Sequence, residues 1–235
     1  MAQEKKVAIV TAGGGGIGRA TALELRDRGY DLALMSRSDA CEKAAAEVEG
    51  LGIRGSVTEA QDLSRLVEAA MDRFGRIDSV VCHTAHPPKG DLLDINDEAW
   101  HLGLDMLILN VVRLTRAITP IMEKQGGGSW VNISTFAAFE PEQALPVSCT
   151  LRAGLSAFAK LYADRYAGAN IRMNNVLPGF IDSLQHSETV LTRIPMGRIG
   201  TVDEIAKTTA FLLSDDAGYM TGQNLIVDGG ITRHL

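Results

Sequence analysis

The chain has 235 residues, and 46% of them are hydrophobic, which suits one sizeable α/β domain. A net charge of -6 without a long basic run argues against nucleic acid as the main partner. The unpaired spacing of Cys41, Cys82 and Cys149, and an apolar run too short to span a membrane (VAIVTA, 7–12), predict a cytoplasmic protein with no membrane partner.

Short apolar runs alternate with longer amphipathic stretches along the chain. The pattern predicts strands at 5–12, 30–36, about 52–57, 77–82, 129–134, 171–177 and 224–230. It predicts helices between them at 16–29, 39–49, 59–74, 96–124, 148–167 and 202–214. Apolar, β-branched strands separated by helices are typical of a parallel sheet covered on both faces. We therefore expect α/β architecture, a single Rossmann-like doubly wound parallel sheet flanked by helices on both faces, over residues 1–235.

The segment TAGGGGIG (11–18) joins the first predicted strand to the first predicted helix. Glycines there permit a tight turn and let backbone N–H groups approach a pyrophosphate at the positive end of a helix. Gly13, Gly15 and Gly18 fit the GxGxxG pattern, while Gly16 and Gly18 fit the end of the longer TGxxxGxG form. This position predicts dinucleotide binding, with a glycine-rich turn as the alternative.

The second predicted strand ends in MSRS (35–38), at the position where an acid often binds the ribose of a dinucleotide. Arg37 stands there instead, and a guanidinium suits a 2′-phosphate. The sequence therefore favours NADP(H) over NAD(H). In the alternative, Arg37 is an exposed loop charge and Asp39 contacts the ribose.

With these features the chain resembles the short-chain dehydrogenase/reductase family, of the bacterial 3-oxoacyl-(acyl-carrier-protein) reductase type. The matching segments run almost from end to end: VTAGGGGIGRA (10–20), DRFGRID (72–78), GGGSWVNIS (126–134), NNVLPGFIDS (174–183), IPMGRIG (194–200) and MTGQNLIVDGG (220–230). The resemblance implies a nicotinamide cofactor, a small-molecule substrate and a homo-oligomer, either a tetramer or a dimer.

The resemblance also implies which residues contact the cofactor. They are Thr11, Gly13, Gly15, Gly16, Ile17, Gly18, Arg37, Ser56, Val57, Thr84, Arg152, Pro178, Gly179, Ile181 and Ser183. Three positions depart from the family pattern. Its first loop glycine is Ala12, its adenine-contacting Asp is Ser56, and its NNAG segment reads CHTA (82–85).

In the family an Asn, a Ser, a Tyr and a Lys form a proton relay. The flanking motifs place these four positions on Leu107, Thr135, Ser148 and Arg152, of which only Thr135 is a conservative change. A serine hydroxyl is far less acidic than a phenol, and an arginine stays protonated. The resemblance thus implies a cofactor site that is largely kept and a proton relay that is replaced.

Several readings of the replaced site stay open. His86 lies just after the fourth predicted strand and titrates near neutrality, so it is a candidate proton donor or, alternatively, a satisfied loop histidine. Glu140 and Glu142 border the substrate pocket as candidate acids or as solvated carboxylates. The segment between PGFIDS and RIPMG is short, which indicates a small substrate. No metal-ligand spacing occurs, and we predict no metal site.

Two functions therefore remain. The first is an NADP(H)-dependent oxidoreductase that transfers hydride to a small carbonyl or imine, with Thr135, Ser148 and Arg152 orienting the substrate and His86 as a further candidate. The second is a catalytically inactive nucleotide-binding or assembly protein. The intact LPGFIDS segment (177–183) favours the first, and the changes at Leu107, Ser148 and Arg152 favour the second.

Overall fold

A computed structural model describes residues 5–233, and a parallel sheet of seven strands runs through this part of the chain. The strands are β1 (Val7–Thr11), β2 (Asp31–Ser36), β3 (Leu51–Arg54), β4 (Ser79–Cys82), β5 (Gly128–Ile133), β6 (Ile171–Pro178) and β7 (Asn224–Val227). Their order in the sheet is β3-β2-β1-β4-β5-β6-β7, and each neighbouring pair is parallel. The order reverses between β1 and β4, where doubly wound sheets open a ligand crevice.

Helices cover both faces of this sheet. They are α1 (Gly16–Asp27), α2 (Ala40–Glu47), α3 (Ala60–Phe74), α4 (Asp97–Leu104), α5 (Asn110–Gln125), α6 (Pro146–Tyr166) and α7 (Val202–Leu213). Helices α1, α2 and α7 bury their apolar side chains in one core, and α3, α5 and α6 bury theirs in a second core on the opposite face. The prediction of a doubly wound parallel sheet flanked by helices on both faces is confirmed. None of the helices in residues 5–233 has the length and apolarity needed to cross a membrane.

The central strands are buried along their whole length, as β1 and β6 show. Burial on both faces explains why strands such as β1 are mostly apolar instead of alternating. Buried polar side chains also occur in the strands, and they include asparagines whose amides pair across the sheet. Asn132 donates to Asn175 Oδ1 at 2.8 Å, and Asn175 donates to Asn224 Oδ1 at 2.7 Å. These bonds satisfy buried polar groups and connect β5, β6 and β7.

The long helix predicted at 96–124 is present and contains one irregular turn. It begins as predicted, because the Asn96 side chain accepts a hydrogen bond from the Ala99 N–H at 3.0 Å. A π-helical turn over Asp105–Leu109 then separates α4 from α5. The wider turn changes the backbone hydrogen-bonding pattern, and Asn110 Nδ2 donates to the Met106 carbonyl at 2.7 Å. The helix is therefore present where it was predicted, and its π-helical turn was not predicted.

Ala12 adopts a backbone conformation that glycine would adopt without strain. Its φ is 49°, in the left-handed region, and it begins the loop that follows β1. The first turn of α1 packs tightly against it, because a Cβ atom on Gly18 would lie 2.3 Å from the Ala12 carbonyl oxygen. The loop therefore needs Gly18 as glycine and stores local strain at Ala12.

Replacement of Ala12 by glycine is expected to stabilise the protein by about 0.5–1 kcal/mol, since relief of left-handed strain outweighs the added backbone entropy. Urea unfolding followed by circular dichroism measures the change. As a matched control, Ala157→Gly on the exposed face of α6 is expected to destabilise by about 1 kcal/mol. An A12G variant less stable than the original chain would contradict the prediction.

Candidate active site and dinucleotide cleft

The loops after β1, β4 and β6 meet at the carboxyl edge of the sheet. The Thr11 hydroxyl donates to the His83 carbonyl at 2.7 Å and accepts from the His83 N–H at 2.8 Å, which joins the ends of β1 and β4. A Cβ atom on Gly16 would lie 3.3 Å from Ser183 Cβ, so the glycine loop also touches the segment after β6. These contacts place the predicted cofactor residues of three loops around one cleft.

The glycine loop itself is shaped by close packing. A Cβ atom on Gly14 would lie 2.7 Å from Ser36 Oγ, and one on Gly13 would lie 3.1 Å from Leu34 Cβ. Gly15, by contrast, has nothing within 4 Å and forms the N-cap of α1 without a side-chain hydrogen bond. The Ile17 side chain is buried in the core, and its backbone belongs to the first turn of α1. An uncapped helix N-terminus beside open space fits a pyrophosphate.

The predicted adenosine contacts lie after β2 and β3. Arg37 is exposed and makes no hydrogen bond or ion pair with the described residues. Asp39, the alternative ribose contact, pairs with Lys43 at 2.9 Å, and this hydrogen bond lowers the pKa of Asp39. The arginine is thus available to a ligand, whereas the carboxylate already has a partner.

The segment after β3 contains the family's adenine contact. The Ser56 N–H donates to Asp62 Oδ2 at 2.8 Å, and the Ser56 and Thr58 hydroxyls lie 2.8 Å apart. Arg113 on α5 donates to the Thr58 carbonyl at 2.9 Å and pairs with Asp105 at 2.6 Å. The sequence reasoning missed both Asp62 and Arg113. The eight-residue spacing between Asp105 and Arg113 is not one that marks a helix pair.

The predicted nicotinamide contacts lie in the turn after β6. A Cβ atom on Gly179 would lie 2.7 Å from Asp228 Cα, so only glycine fits between Pro178 and Phe180. Ile181 pairs with Gly200 in an isolated parallel bridge and is buried. Ser183 follows at the surface, next to the glycine loop. Contacts with Asp228 and with Gly200 therefore hold this turn in place.

Arg152 is the most unusual group in the cleft, because it is charged and only 5% exposed. Its Nε donates to Ser148 Oγ at 3.2 Å, and its Nη1 donates to the Ile133 carbonyl at 2.7 Å. Burial lowers the pKa of Arg152 to about 10, so the guanidinium stays protonated at neutral pH. Within residues 5–233 no carboxylate lies within ion-pair distance of it.

The other two positions that align with the family's relay, Thr135 and Leu107, differ in polarity. Thr135 follows β5 and caps a short 3-10 turn, Phe136–Ala138, that packs against α6. Thr135 Oγ1 accepts weakly from the Ala137 N–H at 3.4 Å, which leaves the hydroxyl proton for another acceptor. Leu107 is buried in the π-helical turn and has no polar side-chain atom. The structure thus groups Thr135, Ser148 and Arg152 at the ends of β5 and α6.

Two histidines follow β4 on the opposite wall. Burial, the charge of Arg152 and the charge of His86 lower the pKa of His83 to about 3, so His83 is neutral. Burial and the charges of Lys89, Arg152 and His186 also lower the pKa of His86. His86 is therefore largely unprotonated at neutral pH in the free protein, which makes it a poor proton donor there.

The rim of the pocket joins distant parts of the chain. Glu142 forms an ion pair with Arg193, and Glu140 accepts a hydrogen bond from the Arg233 N–H. Phe180 packs against Phe136 at 5.7 Å between ring centroids. The two glutamates thus bind neighbouring segments of the chain, and their place beside a substrate stays a prediction.

Cys149 is not an activated nucleophile. Its thiol is 5% exposed and accepts a hydrogen bond from the Glu142 N–H at 3.4 Å. Burial raises the pKa of Cys149, which disfavours the reactive thiolate. No group of three or more His, Cys, Asp and Glu side chains in the described part of the chain is placed to hold a metal ion.

The reversed strand order, the glycine loop and the uncapped α1 terminus define a Rossmann-like fold of the kind that binds dinucleotides. A family profile described as enoyl-(acyl carrier protein) reductase matches residues 11–232. Dehydrogenase/reductase SDR family member 4 of Oryctolagus cuniculus is 35% identical over 246 residues, covering 98% of this chain and 95% of that protein. The 3-oxoacyl-(acyl-carrier-protein) reductase of Thermotoga maritima is 32% identical over 244 residues, covering 98% of this chain and 99% of that protein.

A solved structure agrees with these relatives. L-sorbose reductase from Gluconobacter frateurii, complexed with NADPH and L-sorbose, superposes with a TM-score of 0.94 at 26% identity and covers 100% of this chain and 99% of that one. The chain therefore belongs to the short-chain dehydrogenase/reductase family of oxidoreductases.

Proposed function

We propose that the protein is an NADP(H)-dependent oxidoreductase in which Thr135, Ser148 and Arg152 replace the family's proton relay and hydride passes to a small carbonyl or imine. The observation that carries this proposal is the buried, protonated Arg152, hydrogen-bonded to Ser148 at the nicotinamide end of the cleft. Arg152 keeps a positive charge at the family's lysine position and is held by two hydrogen bonds. This supports an active site whose residues differ from the family's proton relay.

The cofactor would lie across the cleft in the family's orientation. Gly13, Gly15 and Gly16, with the backbone of Ile17 and Gly18, would hold the pyrophosphate at the α1 terminus. Arg37 would bind the 2′-phosphate, and Ser56, Val57 and Thr84 would border the adenosine. Thr11, Arg152, Pro178, Gly179, Ile181 and Ser183 would hold the nicotinamide half. The bound cofactor would supply or accept hydride.

The chain's own residues would then stabilise the charge that develops on the substrate. When a carbonyl is reduced, negative charge builds on its oxygen, and a fixed guanidinium beside that oxygen stabilises it electrostatically. The hydroxyls of Ser148 and Thr135 would donate to the same oxygen and orient it. Neither hydroxyl matches a phenol as an acid, so the proton would come from water or from His86. Loss of a placed general acid lowers the rate by about 10²–10⁴.

An already protonated imine would not need that acid, since its nitrogen carries the proton before hydride arrives. For such a substrate the residues at the end of β5 and α6 would only have to orient the molecule and exclude water. The names of the relatives support reductase chemistry, because they include a 3-oxoacyl-(acyl-carrier-protein) reductase and an L-sorbose reductase bound to NADPH. The proposal therefore includes both carbonyl and imine substrates.

The second candidate is a catalytically inactive nucleotide-binding or assembly protein. The apolar, buried Leu107 favours it, because a leucine cannot take part in a polar relay. We further propose that residues 1–235 form a single dinucleotide-binding domain that works as a cytoplasmic homo-oligomer, a tetramer or a dimer. The exposed apolar side chains of Leu102, Leu161 and Phe211 support an oligomer.

The two candidates differ in turnover. We expect the purified protein to bind NADPH and to oxidise it with at least one member of a panel of ketones, aldehydes and cyclic imines. Thermal shift measures the binding, and absorbance at the NADPH band measures the turnover. Binding without turnover on any of these classes would favour the inactive protein.

The choice of cofactor can be tested at Arg37. The variant Arg37→Ala is expected to weaken NADPH binding by about 10–100-fold, because charged hydrogen bonds contribute about 1.5–3 kcal/mol. NADH binding should change little. Fluorescence titration measures both affinities, and Arg73→Ala, at an exposed position on α3, is the matched control. Equal losses for NADPH and NADH would contradict a contact with the 2′-phosphate.

The double variant Ser148→Tyr/Arg152→Lys tests the relay positions. It is expected to gain reduction of simple 3-ketoesters by about 10²-fold or more, since it restores a phenol acid beside an ammonium. Steady-state kcat and KM measure the gain, and each single variant is the control. If the double variant binds NADPH normally but gains no ketone reduction, these positions are not the displaced relay.

A further inference from the structure

Arg152 is a buried cation at the end of β5, and its Nη2 donates to none of the described residues. A buried charge without a counter-ion is unfavourable, so a site that keeps one gains from an anionic ligand. The guanidinium has five N–H groups in a planar fork, which matches the geometry of a carboxylate.

Separate loops contribute further basic side chains. His86 and Lys89 follow β4, and His186 follows β6. Burial and the charges of Lys89, Arg152 and His186 lower the pKa of His86. His86 follows β4, which pairs with β5, and Arg152 is anchored to the Ile133 carbonyl at the end of β5. His186 is held there by its Nε2 contact to the Ile181 carbonyl at 2.8 Å. Basic side chains from different elements therefore lie at this edge of the sheet.

The carboxylates of the same region are already engaged. Glu142 pairs with Arg193, Glu140 accepts from the Arg233 N–H, and Asp182 accepts from the Val202 N–H at 2.9 Å. No Asp or Glu within residues 5–233 forms an ion pair with Arg152 or His86. The pocket thus carries positive charge that the described residues do not neutralise.

Aromatic side chains pack beside the same edge of the sheet. Phe180 contacts Phe136 at 5.7 Å and meets the His186 ring edge-on at 5.2 Å. Arg193 lies over the outer side of Phe180 at 5.3 Å, so the ring has little freedom to move away. A small molecule with one charged end and a short carbon skeleton fits this combination.

We propose that the substrate is a small oxo- or imino-acid, whose carboxylate binds between Arg152 and His86 with the reacting carbon directed toward the nicotinamide. Arg152 would contact both the oxo or imino group and the nearer carboxylate oxygen. His86 would donate a hydrogen bond to the other carboxylate oxygen. The assignment of the reacting carbon rests on the proposed function, whereas the assignment of the carboxylate site rests on Arg152 and the basic side chains near it.

Binding of the anion would also draw a proton to His86. A carboxylate beside the imidazole favours its charged form and so raises its pKa. The groups near His86 are His83 and Lys89 on its own loop, Arg152 on α6 and His186 after β6. The charges of Lys89, Arg152 and His186 oppose its protonation in the free protein, and His83 is neutral. Affinity for the carboxylate should therefore increase as the pH falls, while affinity for a neutral analogue should not.

Calorimetry with the NADP⁺-loaded protein tests binding without reduction. The probes are pyruvate against methyl pyruvate, acetoacetate against methyl acetoacetate, and dihydroxyacetone phosphate as a phosphate-bearing ketone. We expect each carboxylate to bind at least about tenfold more tightly than its ester. Equal or tighter binding of the esters, or tighter binding of the phosphate, would overturn the inference.

The variant His86→Asn tests the proton coupling, with His101→Asn on the exposed part of α4 as the matched control. In the original chain and the control, carboxylate affinity should rise up to about tenfold from pH 8 to pH 6, as a one-unit pKa shift implies. In H86N this rise should disappear. An unchanged pH dependence in H86N would overturn the role of His86 in the site.

NADPH oxidation with the same probes separates the two proposals. Tighter binding of carboxylates without oxidation of NADPH would retain the anion site and reject the oxidoreductase. Reduction of the esters in preference to the acids would retain the oxidoreductase and reject the anion site.

Discussion

The paired hydrogen bonds between Thr11 and His83 hold together the ends of the two strands between which the sheet reverses its order. Every candidate site residue lies at or near this edge. The glycine loop extends from β1, the histidines extend from β4, and α6 brings Arg152 to the neighbouring end of β5. The cleft therefore depends on a short polar contact between strands that are otherwise joined by backbone bonds and apolar packing.

The position of Arg152 brings stability and function into conflict. Removal of a guanidinium from water costs several kcal/mol unless opposite charge or hydrogen bonds compensate. The Ser148 hydroxyl and the Ile133 carbonyl compensate in part, and both are neutral. Apolar residues of similar volume would avoid this cost. Burial is the main cause that lowers the pKa values of His83 and His86, and the charge of Arg152 lowers both further.

Much of the fold could be predicted from the sequence because its signals are local. Continuous apolar strands such as β1, the glycine loop and the Asn96 cap each depend on neighbouring residues. The π-helical turn could not be predicted, since residues 105–109 favour a helix and only tertiary contacts widen one turn. The contacts of Glu142 with Arg193 and of His186 with Ile181 depend on where loops meet, which spacing along the chain does not reveal.

The two changes at the end of α6 are best understood together. Replacement of a phenol by Ser148 removes an acid and leaves space beside the helix, and Arg152 directs its Nε toward that hydroxyl. An arginine in place of a lysine keeps the positive charge while holding its proton more firmly. In the proposed function both changes weaken proton transfer, and Arg152 retains the positive charge of a lysine. A site altered in this way is suited to a ligand whose binding and reaction need a fixed cation more than a mobile proton.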